Sequence, residues 1–495
     1  MEKIELVFIP SIGLGHVISM VEMGNLLLSR YPNLSATFLI INMKSRPNVD
    51  VTSLITSLSS SDSHDSTRIR FLQVSREEED DSVVNPEAMF SLSDLYNPII
   101  KETVQQEIIT RSGSGRLVGF ILDMFCAGMV DVAKEFKVPG YVFFSSGASL
   151  IGLMWHLQTL QDEYGQNLVD LDGSDVELDV PVFKNRYPAK VIPPVLIDKE
   201  GGSKIFLRLA RMLRKVDGIA VNTFSELESH AIKVLSDDDK IPSVYPVGPI
   251  LKLKKENDED SSADIIRWLD GQPSSSVIFL CFGSMETFTV AQVKEIAYAL
   301  ENTGKRFLWS LRRPSGTDKK RSWITSDYKD PNQVLPEGFL ERTSDIGRVI
   351  GWAPQVEVLS HEAVGGFVSH CGWNSTLETV WFGVPTATWP IQAEQNMNAF
   401  FMVKEVGLSV DVKMDYRQSR WKIFEEDSAT VPATVIERAL RQLMDENSEE
   451  CLEMRKRMKE MSDKSRKAVA EGGSSNVSIG RFVDDIINQV AKRQI

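Results

Sequence analysis

The chain has little of what marks a metalloprotein, a membrane protein or a nucleic-acid-binding protein. It contains only four cysteines in 495 residues, Cys126, Cys281, Cys371 and Cys451, whose wide spacing fits buried thiols better than zinc ligands or disulfides. No apolar run reaches the roughly 18 residues of a membrane span. The net charge of -14, without any basic stripe, would repel a phosphate backbone, so we expect no nucleic-acid partner.

Signals for secretion and for metal binding are also missing. The first ten residues, MEKIELVFIP, lack the basic start and the long apolar core of a secretory signal, so we expect a cytoplasmic protein. The Asp-x-Asp matches Asp170/Asp172 and Asp258/Asp260 lie in polar stretches with no apolar strand before them. We interpret them as solvated loops and expect no metal site.

What the chain does have is a repeated alternation of strand and helix patterns. Apolar runs such as IELVFIP, LVGFILD and YVFF are each followed by an amphipathic stretch, and this order predicts parallel sheets joined by right-handed crossovers. A charged segment, LKLKKENDEDSSAD, interrupts the alternation, which restarts at SVIFLCF. A chain of this length exceeds the size of one hydrophobic core, so we expect an α/β protein with two doubly wound halves.

The boundaries of these units follow from the same pattern. The final stretch, IGRFVDDIINQVAKR, places Phe482, Ile486 and Val490 on one side of a helix. The expected units are an N-terminal domain at 1–245, a linker at 246–262, a C-terminal domain at 263–475 and a terminal helix at 476–495 that packs back towards the first domain.

Two strand ends of the first half carry residues suited to acid–base chemistry. In IPSIGLGHV, Gly13 and Gly15 allow a tight turn, and His16 opens a helix whose dipole favours the neutral imidazole. In LVGFILDMFCAGM, Asp123 ends an apolar strand of the same sheet, so we expect it to hold His16. The alternatives are a capping or surface role for His16 and a helix-capping role for Asp123. A dinucleotide-binding turn is disfavoured because its third glycine is missing.

One strand end of the second half suits an anion. The strand VIFLCF turns at Gly283 and Ser284, which offer backbone amides and a hydroxyl group. The signal is weak by itself, and Thr289 with Gln292 fits an ordinary capping box at the start of the next helix.

A second strand end carries the stronger signal. In VGGFVSHCGWNSTLE, His370 ends a buried strand, and a helix is expected to begin at Trp373 or Asn374. The first-turn amides and His370 would then supply local attraction to a small diphosphate on an acidic protein. Ser375 with Glu378 also fits a capping box, so the ligand role of Glu378 has a structural alternative.

These residues lie within WAPQVEVLSHEAVGGFVSHCGWNSTLETVWFGVPTATWPIQAEQ, and this segment resembles the sugar-nucleotide box of the plant family-1 UDP-sugar-dependent glycosyltransferases. The match covers residues 352–395 without a gap, and the glycine–histidine turn, ILDMFCAGM and FLCFGSM are similar to family segments in the same order. The resemblance implies a GT-B fold of two facing Rossmann-like domains with a C-terminal crossover helix. It places the acceptor in the first domain and the UDP-sugar in the second.

The resemblance also implies roles for individual residues. His16 would be the catalytic base and Asp123 its partner. The implied donor residues are Trp352, Ala353 and Gln355 at the uracil, Glu378 at the ribose, Ser284, His370, Asn374 and Ser375 at the diphosphate, and Trp373, Glu394 and Gln395 at the sugar, with Ser145 near it from the other domain.

The sequence departs from the family pattern at three positions. Glu394 stands where aspartate is frequent, Ser145 where many relatives have threonine, and Gln392 where an aromatic residue is common. None of these changes removes a reacting group. Gln395 resembles glucose users more than galactose users, so UDP-glucose is the expected donor, with UDP-xylose and UDP-glucuronate as alternatives.

The implied reaction is an inverting transfer to a hydroxyl of a small lipophilic plant metabolite (a flavonoid, phenylpropanoid or terpenoid), by a monomer that needs no metal. A UDP-sugar epimerase on the same fold and a non-catalytic UDP-sugar-binding protein are the alternatives. The weak candidates for the acceptor pocket, each of which could equally belong to the core, are Met89, Phe90, Met124, Phe125, Leu150, Met154 and Trp155.

Overall fold

A computed structural model describes residues 2–42, 55–56, 67–76, 92–111, 115–198, 202–253, 259–314, 325–417 and 430–493. Met89, Phe90 and Asp258 lie outside these ranges. The first half forms a seven-stranded parallel sheet in the order β3-β2-β1-β4-β5-β8-β9. Its strands, with the short β6–β7 hairpin beside the sheet, are β1 (Ile4–Ile9), β2 (Leu34–Asn42), β3 (Ile69–Ser75), β4 (Arg116–Asp123), β5 (Gly140–Phe144), β6 (Glu177–Leu178), β7 (Tyr187–Pro188), β8 (Gly218–Val221) and β9 (Ser243–Pro246).

The second half forms a six-stranded parallel sheet in the order β14-β11-β10-β15-β16-β17. A short antiparallel hairpin, β12–β13, lies beside it. The strands are β10 (Val277–Cys281), β11 (Arg306–Ser310), β12 (Arg312–Pro314), β13 (Thr325–Asp327), β14 (Gly347–Ile350), β15 (Val364–Ser369), β16 (Thr386–Thr388) and β17 (Ser409–Asp411). The predicted α/β class with two parallel-sheet halves is confirmed.

The helices connect successive strands on the faces of the two sheets. Their bounds are α1 (Leu14–Arg30), α2 (Leu92–Val104), α3 (Val130–Glu135), α4 (Ala148–Asp162), α5 (Pro194–Ile197), α6 (Gly202–Leu213), α7 (Ser229–Asp237), α8 (Glu259–Asp270), α9 (Val290–Thr303), α10 (Phe339–Arg342), α11 (Gln355–Leu359), α12 (Trp373–Phe382), α13 (Gln395–Phe400), α14 (Ala433–Leu443), α15 (Glu449–Val469) and α16 (Ser474–Arg493). None of those in the described ranges has the length and apolar composition that a membrane crossing requires.

The terminal helix α16 contacts strands β4 and β9 of the N-terminal sheet. Phe482, Ile486 and Val490 are buried in the cluster beneath that sheet, and Tyr141 and Tyr245 each donate a hydrogen bond to Asp485. Because α15 precedes α16 and packs on α12 of the second half, the chain crosses between the two halves at its end.

Two elements differ from the sequence prediction. Helix α8 begins at Glu259, inside the predicted linker at 246–262, because Ile265 and Leu269 supply a buried face to an otherwise charged segment. Strand β17, only three residues long, is not among the predicted strands, although the surrounding sequence LSVDV alternates apolar and polar residues. All four cysteines are buried and unpaired, which fits the predicted thiols.

Candidate active site

The N-terminal part of the site forms where three neighbouring strands end. Strands β1, β4 and β5 are adjacent in the sheet, so the residues that follow them meet at one edge. His16 lies in the first turn of α1, which begins at Leu14, two residues before the predicted opening of the helix at His16. Asp123 is the last residue of β4, and Ser145 follows β5.

His16 and Asp123 form a hydrogen-bonded pair. The distance between His16 Nδ1 and Asp123 Oδ2 is 2.8 Å; Asp123 is fully buried, whereas the His16 side chain is 29% exposed. Since a carboxylate only accepts, Nδ1 carries the hydrogen and Nε2 keeps its lone pair. The other Asp123 oxygen accepts the backbone N–H of Phe125 at 3.0 Å, so one carboxylate both caps the Met124–Met129 turn and orients the imidazole.

The pKa of His16 moves opposite to the sequence prediction. Burial lowers this pKa, but the charge and hydrogen bond of Asp123, with the more distant Glu394, outweigh burial and raise it above 6.5. The Asp123 carboxylate favours the protonated ring, which is the opposite of the direction expected from the helix dipole. His16 is a stronger base than a free imidazole, and it is protonated at a higher pH.

A cleft of about 360 Å³ opens at the strand ends of the second sheet. Eight of the predicted donor residues line it together: Ser284, Trp352, Ala353, Gln355, His370, Asn374, Ser375 and Glu378. The Trp352 indole is 38% exposed, an unusual state for a large aromatic side chain and one that suits stacking on a flat ring. Gly15, Ile18 and Ser19 close the cleft from the first lobe.

The structure removes the capping-box alternative for Glu378. Helix α12 begins at Trp373 with Gly372 as its N-cap residue, so Ser375 lies within the helix and does not cap it. The Gln355 side chain instead donates to Ser375 Oγ at 2.8 Å and to Glu378 Oε2 at 2.6 Å. The first-turn amides of α12 remain available at the cleft.

The Gly283–Ser284 turn does not lead directly into a helix. Helix α9 begins only at Val290, and Thr289 is its N-cap, with its side chain accepting from the Gln292 N–H. The Gln292 side chain does not complete the predicted box, because it bonds Val431. Any anion contact at Ser284 must therefore come from the turn itself.

Burial shifts the pKa of two cleft residues in the directions expected for desolvated groups. It raises the pKa of Glu378 to about 7, although the Gln355 hydrogen bond opposes this. It lowers the pKa of His370 to about 4, so His370 is neutral near pH 7. His370 can therefore supply the predicted local attraction only as a neutral N–H donor.

A strained residue and two unsatisfied polar atoms lie where β15 leads into α12. Cys371 adopts a left-handed conformation with φ 64°. His370 Nδ1 and Asn374 Oδ1 are buried and find no hydrogen-bond partner among the described residues. Since buried polar atoms are normally paired, this arrangement fits a site that receives a polar ligand.

Among the residues that the structure describes, three hydrogen bonds cross between the lobes beside the cleft. Ser146 Oγ donates to Glu394 Oε1 at 3.4 Å, and Asn374 Nδ2 donates to Ser19 Oγ at 3.4 Å. The third runs from the Trp373 indole N–H to the carbonyl of Asn222 at 2.8 Å. These contacts hold the His16 side of one lobe against the box segment of the other.

The predicted sugar-contacting residues have unequal access to the crevice. Trp373 is buried between the lobes with its indole N–H already bonded to Asn222, so its backbone N–H is the donor that it can offer a ligand. The Gln395 carbonyl accepts the backbone N–H groups of Ile391 and Gln392, which leaves its NH₂ group. Burial raises the pKa of Glu394, and nearby His16 opposes that shift.

Four of the residues predicted to line the acceptor pocket belong to the hydrophobic core. Met124, Leu150, Met154 and Trp155 are buried in the main core of the first lobe, so the core alternative applies to them. Of the candidates within the described ranges, Phe125 lies beside the base, with its ring edge-on to His16 at 5.4 Å between centroids.

Sequence reasoning missed several residues that line the cleft: Ser310, Arg312, Ile250, Leu251 and Lys252. Ser310 and Arg312 end or follow β11, so the strand-end rule that found Ser284 would also have found them. The 250–252 segment follows β9, which ends at Pro246, and lies in the predicted linker. Asn222 holds it in place by accepting the Ile250 N–H at 2.7 Å and donating to the Ile250 carbonyl at 3.2 Å.

Comparison with known proteins matches the geometry to one family. The family model described as UDP-glucoronosyl and UDP-glucosyl transferase matches residues 218–420. A curated relative, the UDP-glucose flavonoid 3-O-glucosyltransferase 6 of Fragaria ananassa, is 50% identical over 97% of this chain and 98% of its own length. A second, an anthocyanidin 3-O-glucosyltransferase of Manihot esculenta, is 47% identical over 96% of this chain and 100% of its own.

Solved structures agree in fold over nearly the whole chain. A transferase from Siraitia grosvenorii in complex with UDP superposes with a TM-score of 0.85 and 44% identity, covering 98% of this chain and 100% of that one. A Medicago truncatula glycosyltransferase complexed with UDP-glucose gives a TM-score of 0.81 and 38% identity, with 98% of both chains covered. The predicted GT-B architecture is confirmed by this similarity.

Proposed function

The chain belongs to the UDP-glucoronosyl and UDP-glucosyl transferase family, and from this premise we propose that it moves glucose from UDP-glucose to a hydroxyl of a small lipophilic plant metabolite with inversion at the anomeric carbon. The protein is a UDP-glycosyltransferase. The observation that carries the finer proposal is the His16–Asp123 pair, which lies at the interlobe crevice close enough to Glu394 of the other lobe for their charges to interact.

His16 is the proposed general base. Its Nε2 atom is free of the Asp123 hydrogen bond and takes the proton of the acceptor hydroxyl as the oxygen attacks the anomeric carbon. Asp123 keeps the tautomer and stabilises the imidazolium that forms. Attack from the face opposite the departing UDP converts the α-linked donor into a β-O-glycoside.

The donor-binding role of the cleft is supported by its chemistry. The exposed Trp352 face suits uracil, and the Glu378 carboxylate suits the ribose hydroxyls. The first-turn amides of α12, with Ser284 and Ser375, suit the diphosphate, whose charge grows as the bond to glucose breaks. In this proposal the neutral His370 donates a hydrogen bond to the diphosphate.

The sugar lies between Glu394, the Gln395 NH₂ group and Ser145. The acceptor approaches from the Phe125 side, where the ring of Phe206 packs edge-on to Phe125 at 6.3 Å between centroids. An apolar wall of this kind selects by shape more than by hydrogen bonds, which fits a flavonoid, phenylpropanoid or terpenoid. Of these classes, the names of the relatives mention a flavonoid and an anthocyanidin.

We propose that the transfer needs no metal and that the protein acts as a cytoplasmic monomer. Among the described residues, no group of three or more histidine, cysteine, aspartate or glutamate side chains is arranged to hold a metal ion, and helix amides can meet the leaving-group charge. We expect transfer rates in excess EDTA to equal those without it. A rate restored only by added Mg²⁺ or Mn²⁺ would contradict this.

The function is tested by mass spectrometry of products from a panel of hydroxylated plant compounds incubated with several UDP-sugars. We expect a mass gain of one hexose with UDP-glucose, and NMR of the product should show a β linkage. Incubation with UDP-glucose alone is the control: an altered sugar nucleotide without acceptor would indicate an epimerase. UDP binding without any glycoside across the panel would favour a binding protein.

A further inference from the structure

Glu228 is a deeply buried carboxylate that the proposed mechanism does not use. It is 2% exposed and ends the segment between β8 and α7. Its Oε2 accepts the backbone N–H of Ala148 at 2.8 Å, and its Oε1 accepts the backbone N–H and the hydroxyl of Ser149 at 2.8 and 2.6 Å. None of the ion pairs found in the described ranges includes Glu228, so the start of helix α4 supplies its compensation.

The turn that Glu228 holds is the one that reaches the reacting groups. Helix α4 is preceded by Ser145, Ser146 and Gly147. Ser145 Oγ lies 3.3 Å from His16 Nδ1, and Ser146 Oγ donates to Glu394 at 3.4 Å. A carboxylate that anchors the first turn of α4 therefore fixes both contacts through the backbone.

The Ser145–Gly147 turn is also where the donor lobe packs against the first lobe. A Cβ atom added to Gly147 would lie 2.9 Å from Glu228 Oε1 and 2.9 Å from the Trp373 ring. The Trp373 indole also bonds the carbonyl of Asn222, which begins the segment that Glu228 ends. Trp373 opens helix α12, whose amides are proposed to bind the diphosphate, so the phosphate-binding helix docks directly on the turn that Glu228 holds.

We propose that Glu228 is a positioning residue for glucosyl transfer: by holding the Ser145–Gly147 turn, it sets the placement of His16 relative to Glu394 across the crevice. It touches neither substrate nor reacting atoms. The inference rests on the proposed function, because the groups it places are the proposed base and the proposed sugar-binding carboxylate. Misplacement of reacting groups by about 1 Å can reduce a rate roughly a hundredfold.

The test compares Glu228→Gln with Glu5→Gln. Glutamine keeps the bonds of one oxygen to Ser149 but turns an NH₂ group towards the Ala148 N–H. Glu5 is a matched control, because it is a buried carboxylate of the same lobe, 4% exposed, that bonds Thr37 and Ser35 near the start of β1, remote from the crevice. For each variant, kcat is measured per UDP-binding site, together with the Kd for UDP.

We expect Glu228→Gln to lower kcat per UDP-binding site roughly 10- to 100-fold while the Kd for UDP stays within about twofold, and Glu5→Gln to leave both unchanged. A merely structural role would reduce the number of UDP-binding sites or the melting temperature but leave kcat per site intact. That result, or an equal loss of kcat per site in Glu5→Gln, would overturn the proposal.

A second variant keeps the test decisive if Glu228→Gln does not fold. Ser149→Ala removes one of the three hydrogen bonds, and we expect it to lower kcat per site by about two- to fivefold with unchanged UDP affinity; an unchanged kcat per site would count against the proposal. Assays of the wild-type protein distinguish a failure of the positioning role from a failure of the proposed function. If wild type forms no glucoside from any donor, the proposed function fails, whereas normal turnover per site by both variants defeats only the positioning role.

Discussion

Two histidines of the crevice carry opposite pKa shifts although burial acts on both in the same direction. The pKa of His16 is raised because its carboxylate partner outweighs burial. The pKa of His370 is lowered to about 4 because burial acts on it without a charged partner. The difference assigns them different chemistry. A raised pKa suits proton acceptance, while a neutral ring beside a diphosphate donates a hydrogen bond without competing for the proton.

The first residue-scale prediction concerns Asp123. Transfer requires the unprotonated form of His16, so activity is lost as the pH falls through its raised pKa, above 6.5. Asp123→Asn removes the charge that raises this pKa and disturbs the tautomer. We expect kcat/KM to fall by on the order of 10²–10⁴ and its acidic limb to move to lower pH, as measured by pH–rate profiles. An acidic limb that stays in place would contradict the pairing.

The second residue-scale prediction concerns Glu378, whose carboxyl group has a pKa raised from 4.5 to about 7. The folded protein then binds more protons than the unfolded chain between these values, so this group costs stability as the pH rises through that window, by up to about 3 kcal/mol. We expect Glu378→Gln to be more stable than wild type at pH 8 in denaturant titrations without ligand, and to bind UDP more weakly in calorimetry.

The matched control for this change is Glu362→Gln, an exposed glutamate of the same lobe that does not line the cleft. It should alter neither the unfolding midpoint nor the UDP affinity. A Glu378→Gln variant with normal UDP affinity would return Glu378 to a structural role beside Gln355.

At the scale of elements, the sequence predicts the site better than it predicts the connections. His16, Asp123, Ser284 and His370 were found because parallel strands bring their carboxyl ends to one edge. Other features depend on tertiary packing and have no local pattern. The burial of Trp373 between the lobes depends on the approach of Asn222, 151 residues away in sequence.

The terminal helix α16 gives an element-scale prediction. Phe482 is fully buried, with edge-on contacts to the rings of Tyr141 at 5.2 Å and Tyr245 at 5.4 Å between centroids. We expect Phe482→Ala to lower the free energy of unfolding by about 3–5 kcal/mol through loss of packing and creation of a cavity. Val477→Ala on the exposed side of the same helix should change it by less than about 0.5 kcal/mol. Equal effects in chemical denaturation would contradict the packing.

At the scale of the whole molecule, the two lobes divide the reaction between them. The base and its partner belong to the first sheet, and most of the nucleotide cleft belongs to the second. Cross-lobe hydrogen bonds through Ser146, Ser19 and Asn222 hold these parts together. Because the base is separate from most of the donor cleft, a change confined to the base should affect catalysis without affecting donor binding.

The most direct test of this division is a paired measurement of glucosyl transfer and UDP affinity in His16→Ala. His361→Ala is the matched control, since His361 also pairs with an aspartate, Asp270, at 3.1 Å, but lies outside the cleft lining. We predict that His16→Ala lowers kcat by on the order of 10²–10⁴ while the Kd for UDP stays within about twofold, and that His361→Ala keeps both values. Wild-type transfer by His16→Ala would contradict the account.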